Sequence, residues 1–170
     1  MTLRTIVSYP DPVLAATAER VEVFDEELRQ LADDMAETMY AAPGVGLAAN
    51  QVGVLKRIIV VDVTDDQTGL LKLVNPEIAW TSETLADHEE GCLSLKGLYE
   101  HVKRPDEVIV KAQSVTGEPI EIKAEGLLAV CLQHEIDHLN GIVFIDHLSR
   151  LKKDRACTKL KKLRRREHED

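Results

Sequence analysis

The sequence predicts an α+β fold: mostly antiparallel β-sheets packed around a central helix, with one helix before the strands and another after them. Two observations carry that reading. The strand-like runs fall in one block between residues 57 and 124, and they do not alternate with helical segments. Helical periodicity appears on either side of that block, ahead of it near residues 25–40 and behind it from residue 127 onward.

The elements follow in order. Asp25 is a good N-cap for a helix reaching Tyr40, because Leu28, Leu31, Met35 and Met39 then share one stripe. Pro43-Gly44 ends that helix and opens the turn GVGLAANQ. Arg57–Val63 (RIIVVDV) is a β-branched run and reads as a strand. Leu70–Val74 and Glu77–Leu85 read as two further strands, broken at Asn75-Pro76. Asp106–Val115 and Pro119–Ala124 alternate with period two around Thr116-Gly117-Glu118, the pattern of a hairpin. Leu127–Asn140 is the central helix, stopped by Gly141 at the C′ position. Ser149 caps a last helix to about residue 166, with Leu151, Ala156, Leu160 and Leu163 facing inward.

Composition narrows the class. With 170 residues, 44% apolar and 30% charged, the chain fits a single domain spanning residues 1–170 with an adequate core. No run approaches the ~18 apolar residues a membrane helix needs, and the start MTLRTIVSYPDP is too polar for a signal peptide. Three cysteines cannot all pair, so the expectation is a reducing cytoplasm with free thiols. The net charge of −9 is uneven: residues 150–170 carry +6 and residues 1–149 carry −15. A basic tail on an acidic body is either a solvated helix face or a contact for a polyanion.

The segment His134–His138 (HEIDH) is the richest in chemistry. Its two histidines lie at i and i+4, one turn apart on one face, so both imidazoles can reach one divalent ion. Glu135 is rotated about 100° from its neighbour and is better placed to take a proton from metal-bound water than to act as a ligand. A hydrolytic metal usually takes three protein ligands. The protease continuation H-E-x-x-H-x-x-G-x-x-H matches through Gly141 and then meets Phe144, so the third ligand lies elsewhere. Cys131 shares the helix, but it is about 10.5 Å along the axis from His138 and reads as a small buried residue beside the site. Cys92, in HEEGCLS, can approach from a separate element with Gly91 giving room, and Cys157 is a bystander in the tail. A thiolate with two imidazoles suits iron(II) or zinc.

Three segments together resemble the peptide deformylase family: GVGLAANQ (Gly44–Gln51), EGCLS (Glu90–Ser94) and QHEIDHLNG (Gln133–Gly141), in the family's order. The likeness runs from DPVL to FIDHLS. It implies an α+β fold, one bound metal, and removal of the formyl group from the formyl-methionine of newly made polypeptides. Position by position, it implies Cys92, His134 and His138 as metal ligands and Glu135 as general acid/base. Gln51 resembles the side-chain donor that holds the oxyanion together with the backbone N–H of Leu93. Gly46 resembles the backbone that binds the substrate's main chain, while Val45, Leu127, Val130 and Cys131 would line a methionine pocket. Metal-bound hydroxide would attack the formyl carbon, with Glu135 passing the proton to the departing amine. Iron(II) is the expected metal, and zinc, nickel or cobalt would also fit. Many family members have proline where Lys96 stands, so this edge of the groove is expected to be looser. Glu90 reads either as support for the site or as a surface carboxylate.

The likeness also gives the tail a role. Lys152, Lys153, Lys159, Lys161, Lys162, Arg164, Arg165 and Arg166 would contact ribosomal RNA phosphates, as the C-terminal helix of bacterial members is thought to do. Two rival readings are a generic metallopeptidase, which would not need Cys92, and a ribosome- or RNA-binding module with a structural metal, which would not need Glu135.

Overall fold

The computed structural model describes residues 2–169. Three α-helices and seven strands follow one another in this order: α1 Glu26–Ala41, β1 Gly46–Ala48, β2 Ile58–Val61, β3 Leu71–Thr81, β4 Leu85–Gly91, β5 Tyr99–Pro105, β6 Glu107–Gln113, β7 Pro119–Glu125, α2 Gly126–Leu139 and α3 Arg150–Glu169. Five strands form one sheet in the order β1-β2-β3-β6-β7, and β4 and β5 form a separate ribbon. Every strand pair is antiparallel. The α+β class is therefore as expected.

The larger sheet lies between two helices, and β2 shows why its sequence is apolar without interruption. Ile58 and Val60 face the α1 side with Leu28, Leu31, Met35 and Met39, whereas Ile59 and Val61 face the α2 side with Leu132, Ile136 and Leu139. All four β2 residues are fully buried, because both faces of the strand are covered. Helix α1 begins as expected, with the Asp25 side chain accepting from Leu28 N at 3.0 Å. In α2 every residue from Ala129 to Ile136 is buried, so this helix passes through the middle of the molecule.

Three expectations need correction. The break at Asn75-Pro76 does not divide two strands, because β3 runs through it and its register against β6 shifts between Val74 and Glu77. Asn75, at φ +51°, bridges the bulge with its own side chain, which accepts from Val21 N and donates to Val21 O and Gln113 Oε1. Pro76 is tolerated at that bulge because no ladder hydrogen bond is required of it there. The strand then stops at Thr81, and Leu85 opens β4 instead.

The ribbon β4–β5 is the second difference, since no strand was read over residues 86–105. The third is Leu151, which is 61% exposed and does not face inward; Ala156 and Leu160 do. They join Leu95, Leu98, Val102, Val143, Phe144 and Ile145 in a third apolar cluster beneath the ribbon. Ser149 caps α3, its hydroxyl accepting from Lys152 N at 3.3 Å. Among the described residues, no helix is long and apolar enough to cross a membrane.

Candidate metal centre

One face of α2 carries His134 and His138, and Cys92 arrives from the loop after β4. Donor atoms of these three residues all lie within 4.8 Å of one another, with Cys92 Sγ 3.3 Å from His138 Nε2. Cys131 stays outside the cluster, as the axial distance required, and burial pushes its thiol up to about 12. All three cysteines are free. Phe144 stands where the protease pattern would need histidine, and its ring stacks on that of His134 at 6.0 Å.

The surroundings fit a metal. Glu90 Oε1 accepts from His134 Nδ1 at 2.9 Å, which fixes the tautomer and leaves Nε2 for coordination. Glu90 is thus a buried support and not a surface carboxylate. The Arg104 guanidinium holds it with two bonds, of 2.6 and 3.0 Å, and reaches Asp137 with a third of 2.8 Å. Asp137 in turn accepts from His147 Nε2 at 2.7 Å. Burial, more than the neighbouring His134, holds His138 well below the usual histidine range, the neutral form a metal requires. Burial works in the same direction on His134, but Glu135, Cys92 and Glu90 around it prevail and raise it.

Glu135 lies on the adjoining face of α2. Burial pushes its carboxyl up to about 7, against an opposing pull from His134. Its Oε1 is buried with no hydrogen-bond partner among the described residues. Gly46 is what leaves it space: a Cβ at that position would lie 2.5 Å from Glu135 Oε2. Gln51 is held from both ends. Its Oε1 accepts from Ala48 N at 3.0 Å, so its NH₂ must face the site, where it meets Ser94 Oγ at 3.1 Å and Cys92 Sγ at 3.5 Å. Asn50, next in the chain, donates to the His138 carbonyl and ties this turn to the end of α2.

These side chains open onto a cavity of about 830 Å³. Glu135, His134, Cys92, Gln51, Leu93 and Gly46 line it, and so do Val45, Leu127, Val130 and Cys131. Every residue assigned to the site from sequence therefore lies in one place, with His138 just behind the wall. Val45 and Leu127 remain 45% and 50% exposed, apolar surface left at the mouth of a cleft. Sequence reasoning missed Ser94, Arg104, Asp137 and Asn50. Asn50, Ser94 and Asp137 stand inside the quoted motifs, whereas Arg104 carried no local signal.

A cysteine sulfur, two imidazoles and a buried carboxylate at the floor of a cleft define a metal-dependent hydrolase. The polypeptide deformylase family profile matches residues 3–154. Peptide deformylase 1 of Burkholderia multivorans is 53% identical over 165 residues, covering 97% of this chain and 91% of that protein. The crystal structure of a peptide deformylase from Legionella pneumophila superposes with a TM-score of 0.94 at 48% identity, covering 99% of each chain. That of the Ehrlichia chaffeensis enzyme in complex with actinonin gives 0.89 at 45% identity, covering 95% of this chain and 98% of that one. The chain belongs to the polypeptide deformylase family, metal-dependent enzymes that remove the N-formyl group from nascent peptides. Neither the metallopeptidase nor the structural-metal reading is favoured by these likenesses.

Proposed function

We propose that the chain deformylates formyl-methionyl peptides in the cytoplasm through Cys92, His134 and His138 as metal ligands and Glu135 as general acid/base. The observation that carries this assignment is the buried, unpartnered Glu135 oxygen in the wall of the cleft beside the Cys/His/His cluster. The ion acts, when bound, as a Lewis acid that polarises a carbonyl and acidifies water. Iron(II) is our assignment, and the same donors accept zinc, nickel or cobalt.

Glu135 takes the proton of the attacking water and delivers it to the departing amine. A carboxyl near neutrality suits both duties, since it can hold a proton and release it at the same pH. Gln51 Nε2 and the Leu93 N–H donate to the formyl oxygen as negative charge grows there. The Gln51 amide cannot turn its oxygen to the site without breaking its bond from Ala48 N, so the donor is set in advance. Gly46 binds the main chain of the peptide, and Val45, Leu127, Val130 and Cys131 receive the methionine side chain.

The catalytic domain occupies residues 1–170, with the basic helix at about 149–166 built into it. Ala156 and Leu160, buried under the ribbon, support that boundary. Ribosome contact falls to Lys152, Lys159, Lys161, Lys162, Arg165 and Arg166, which are exposed. Lys153 is instead bonded to Asp146, and Arg164 is half-buried.

Protein purified without oxygen should release free amine from formyl-Met-Ala-Ser. Glu135→Ala should lower that turnover by about 10²- to 10⁴-fold with the metal content unchanged. A metal-loaded protein with no turnover, or a fully active Glu135→Ala, would overturn the assignment.

A further inference from the structure

The cleft does not end at the methionine pocket. Its lining also takes in Ser8, Lys96, Gly97 and Glu167, the last on α3. A small adjoining cavity shares Ser8, Lys96 and Glu167 and adds Arg164. Backbone contacts fix this far end. Tyr9 N donates to Ser94 O at 2.8 Å, which sets Ser8 beside the loop after β4. Gly97, at φ +86°, lies against α3 so closely that a Cβ there would be 3.3 Å from Leu163 Cδ1.

Charge changes sign along the groove. At the metal cluster the lining acids are Glu135 and Glu90, and Glu89 lines the same cleft. The far end carries two cations, Lys96 and Arg164, against the single acid Glu167. Lys96 is exposed, Arg164 is half-buried, and neither is in an ion pair among the described residues. Two cations without an ion pair among the described residues, in a groove continuous with the catalytic cleft, complement an anionic occupant. The occupant already implied for that cleft is a peptide whose formylated end lies at Glu135 and whose later residues lead away from it.

We propose that the far end is a charge-reading subsite for the polypeptide downstream of the formyl-methionine, with Lys96 and Arg164 favouring an acidic side chain. This rests on the deformylase reading above. Lys96 is then a specificity determinant, and α3, so far assigned only to ribosome contact, forms one wall of the substrate path.

The test uses the full-length, metal-loaded enzyme and formylated hexapeptides that differ only by Asp or Lys at the third, fourth or fifth residue. At one position or more, the wild type should prefer Asp by roughly two- to five-fold in kcat/KM at low salt, the size of a solvent-exposed ion pair. The preference should appear in KM, shrink as salt is added, fall by about half or more in Lys96→Gln and reverse in the double variant Lys96→Glu/Arg164→Glu. Because each comparison is a ratio within one enzyme, any general loss of activity in a variant cancels. A ratio unchanged in both variants, or a wild-type preference for Lys throughout, overturns the subsite. Turnover of formyl-Met-Ala-Ser by the wild type separates that outcome from failure of the deformylase reading itself.

Discussion

Glu90 is surrounded by groups that depend on it. One oxygen orients His134 and both oxygens hold Arg104, whose side chain is only 5% exposed. Removing a carboxylate from such a place strands a buried cation, which costs about 3–5 kcal/mol, with Asp137 left as the remaining partner of Arg104. It also releases the ring of His134, a proposed metal ligand, for which losses of about 10- to 100-fold in metal affinity are typical. Glu90→Ala should therefore lower the urea midpoint and weaken metal binding together, as measured by competition with a chelator. Glu90→Gln keeps an acceptor for His134 Nδ1, so it should recover much of the affinity and little of the stability. Gly46 offers the opposite separation. The Cβ of Gly46→Ala would meet Glu135 Oε2, the free end of a side chain, so the fold can yield by moving the carboxylate. We expect a thermal midpoint close to the wild type and kcat down by on the order of 10²-fold, the scale of an ångström's misplacement of a reacting group. A kcat that stays at the wild-type level would remove Glu135 from the proton transfers.

Among the elements, the helices were the most legible, because their signals are local. A capping aspartate and a stripe of four apolar residues are enough to specify α1, and the two histidines of the proposed metal cluster can be placed on α2 from spacing alone. The ribbon β4–β5 was not legible for a physical reason. Its inner face alternates as a strand should, but the inward positions include Glu90 and Arg104, charges that satisfy each other only after the strands have paired. Asn75 hid the continuity of β3 in a similar way, since its side chain replaces backbone bonds that a pattern reading must assume lost. One tie between elements has a pH signature. The Tyr40 hydroxyl, at the end of α1, donates to Asp62 just after β2 at 2.6 Å. Bonds from Thr64 and Tyr40 hold the Asp62 carboxyl below its ordinary value, and burial with Asp62 pushes Tyr40 up to about 12. A carboxyl lowered in the folded state stabilises the fold above its unfolded pKa, and that contribution is lost as pH falls through the folded one. The urea midpoint of the wild type should accordingly decline from about pH 4 downward. Asp62→Asn should start lower at pH 7 and decline less steeply, and parallel profiles would show that the tie carries no acid sensitivity.

At the scale of the whole molecule, the division of charge between an acidic body and a basic tail acquires a geometry. Helix α3 is not an appendage, because Ala156 and Leu160 close the apolar cluster that also packs the loop between Cys92 and Tyr99. Cutting the chain after Ser149 would uncover Leu95, Leu98 and Phe144, so a loss of ribosome binding in that truncation could arise from unfolding alone. Charge reversal avoids this problem. Lys159, Lys162 and Arg166 are exposed and recur at helical spacing on one face, away from the buried stripe. Replacing all three with Glu changes the sign of that face without touching Ala156 or Leu160, and the urea midpoint should stay near the wild-type value. Contacts to phosphate are sequence-independent and displaced by salt, so wild-type cosedimentation with ribosomes should fall steadily as ionic strength rises. The triple variant should bind at least about tenfold more weakly at low salt. Equal cosedimentation of wild type and variant would mean that the basic face is only solvated surface. It would also leave the contact with Gly97 and the substrate groove as the reason for α3 lying where it does.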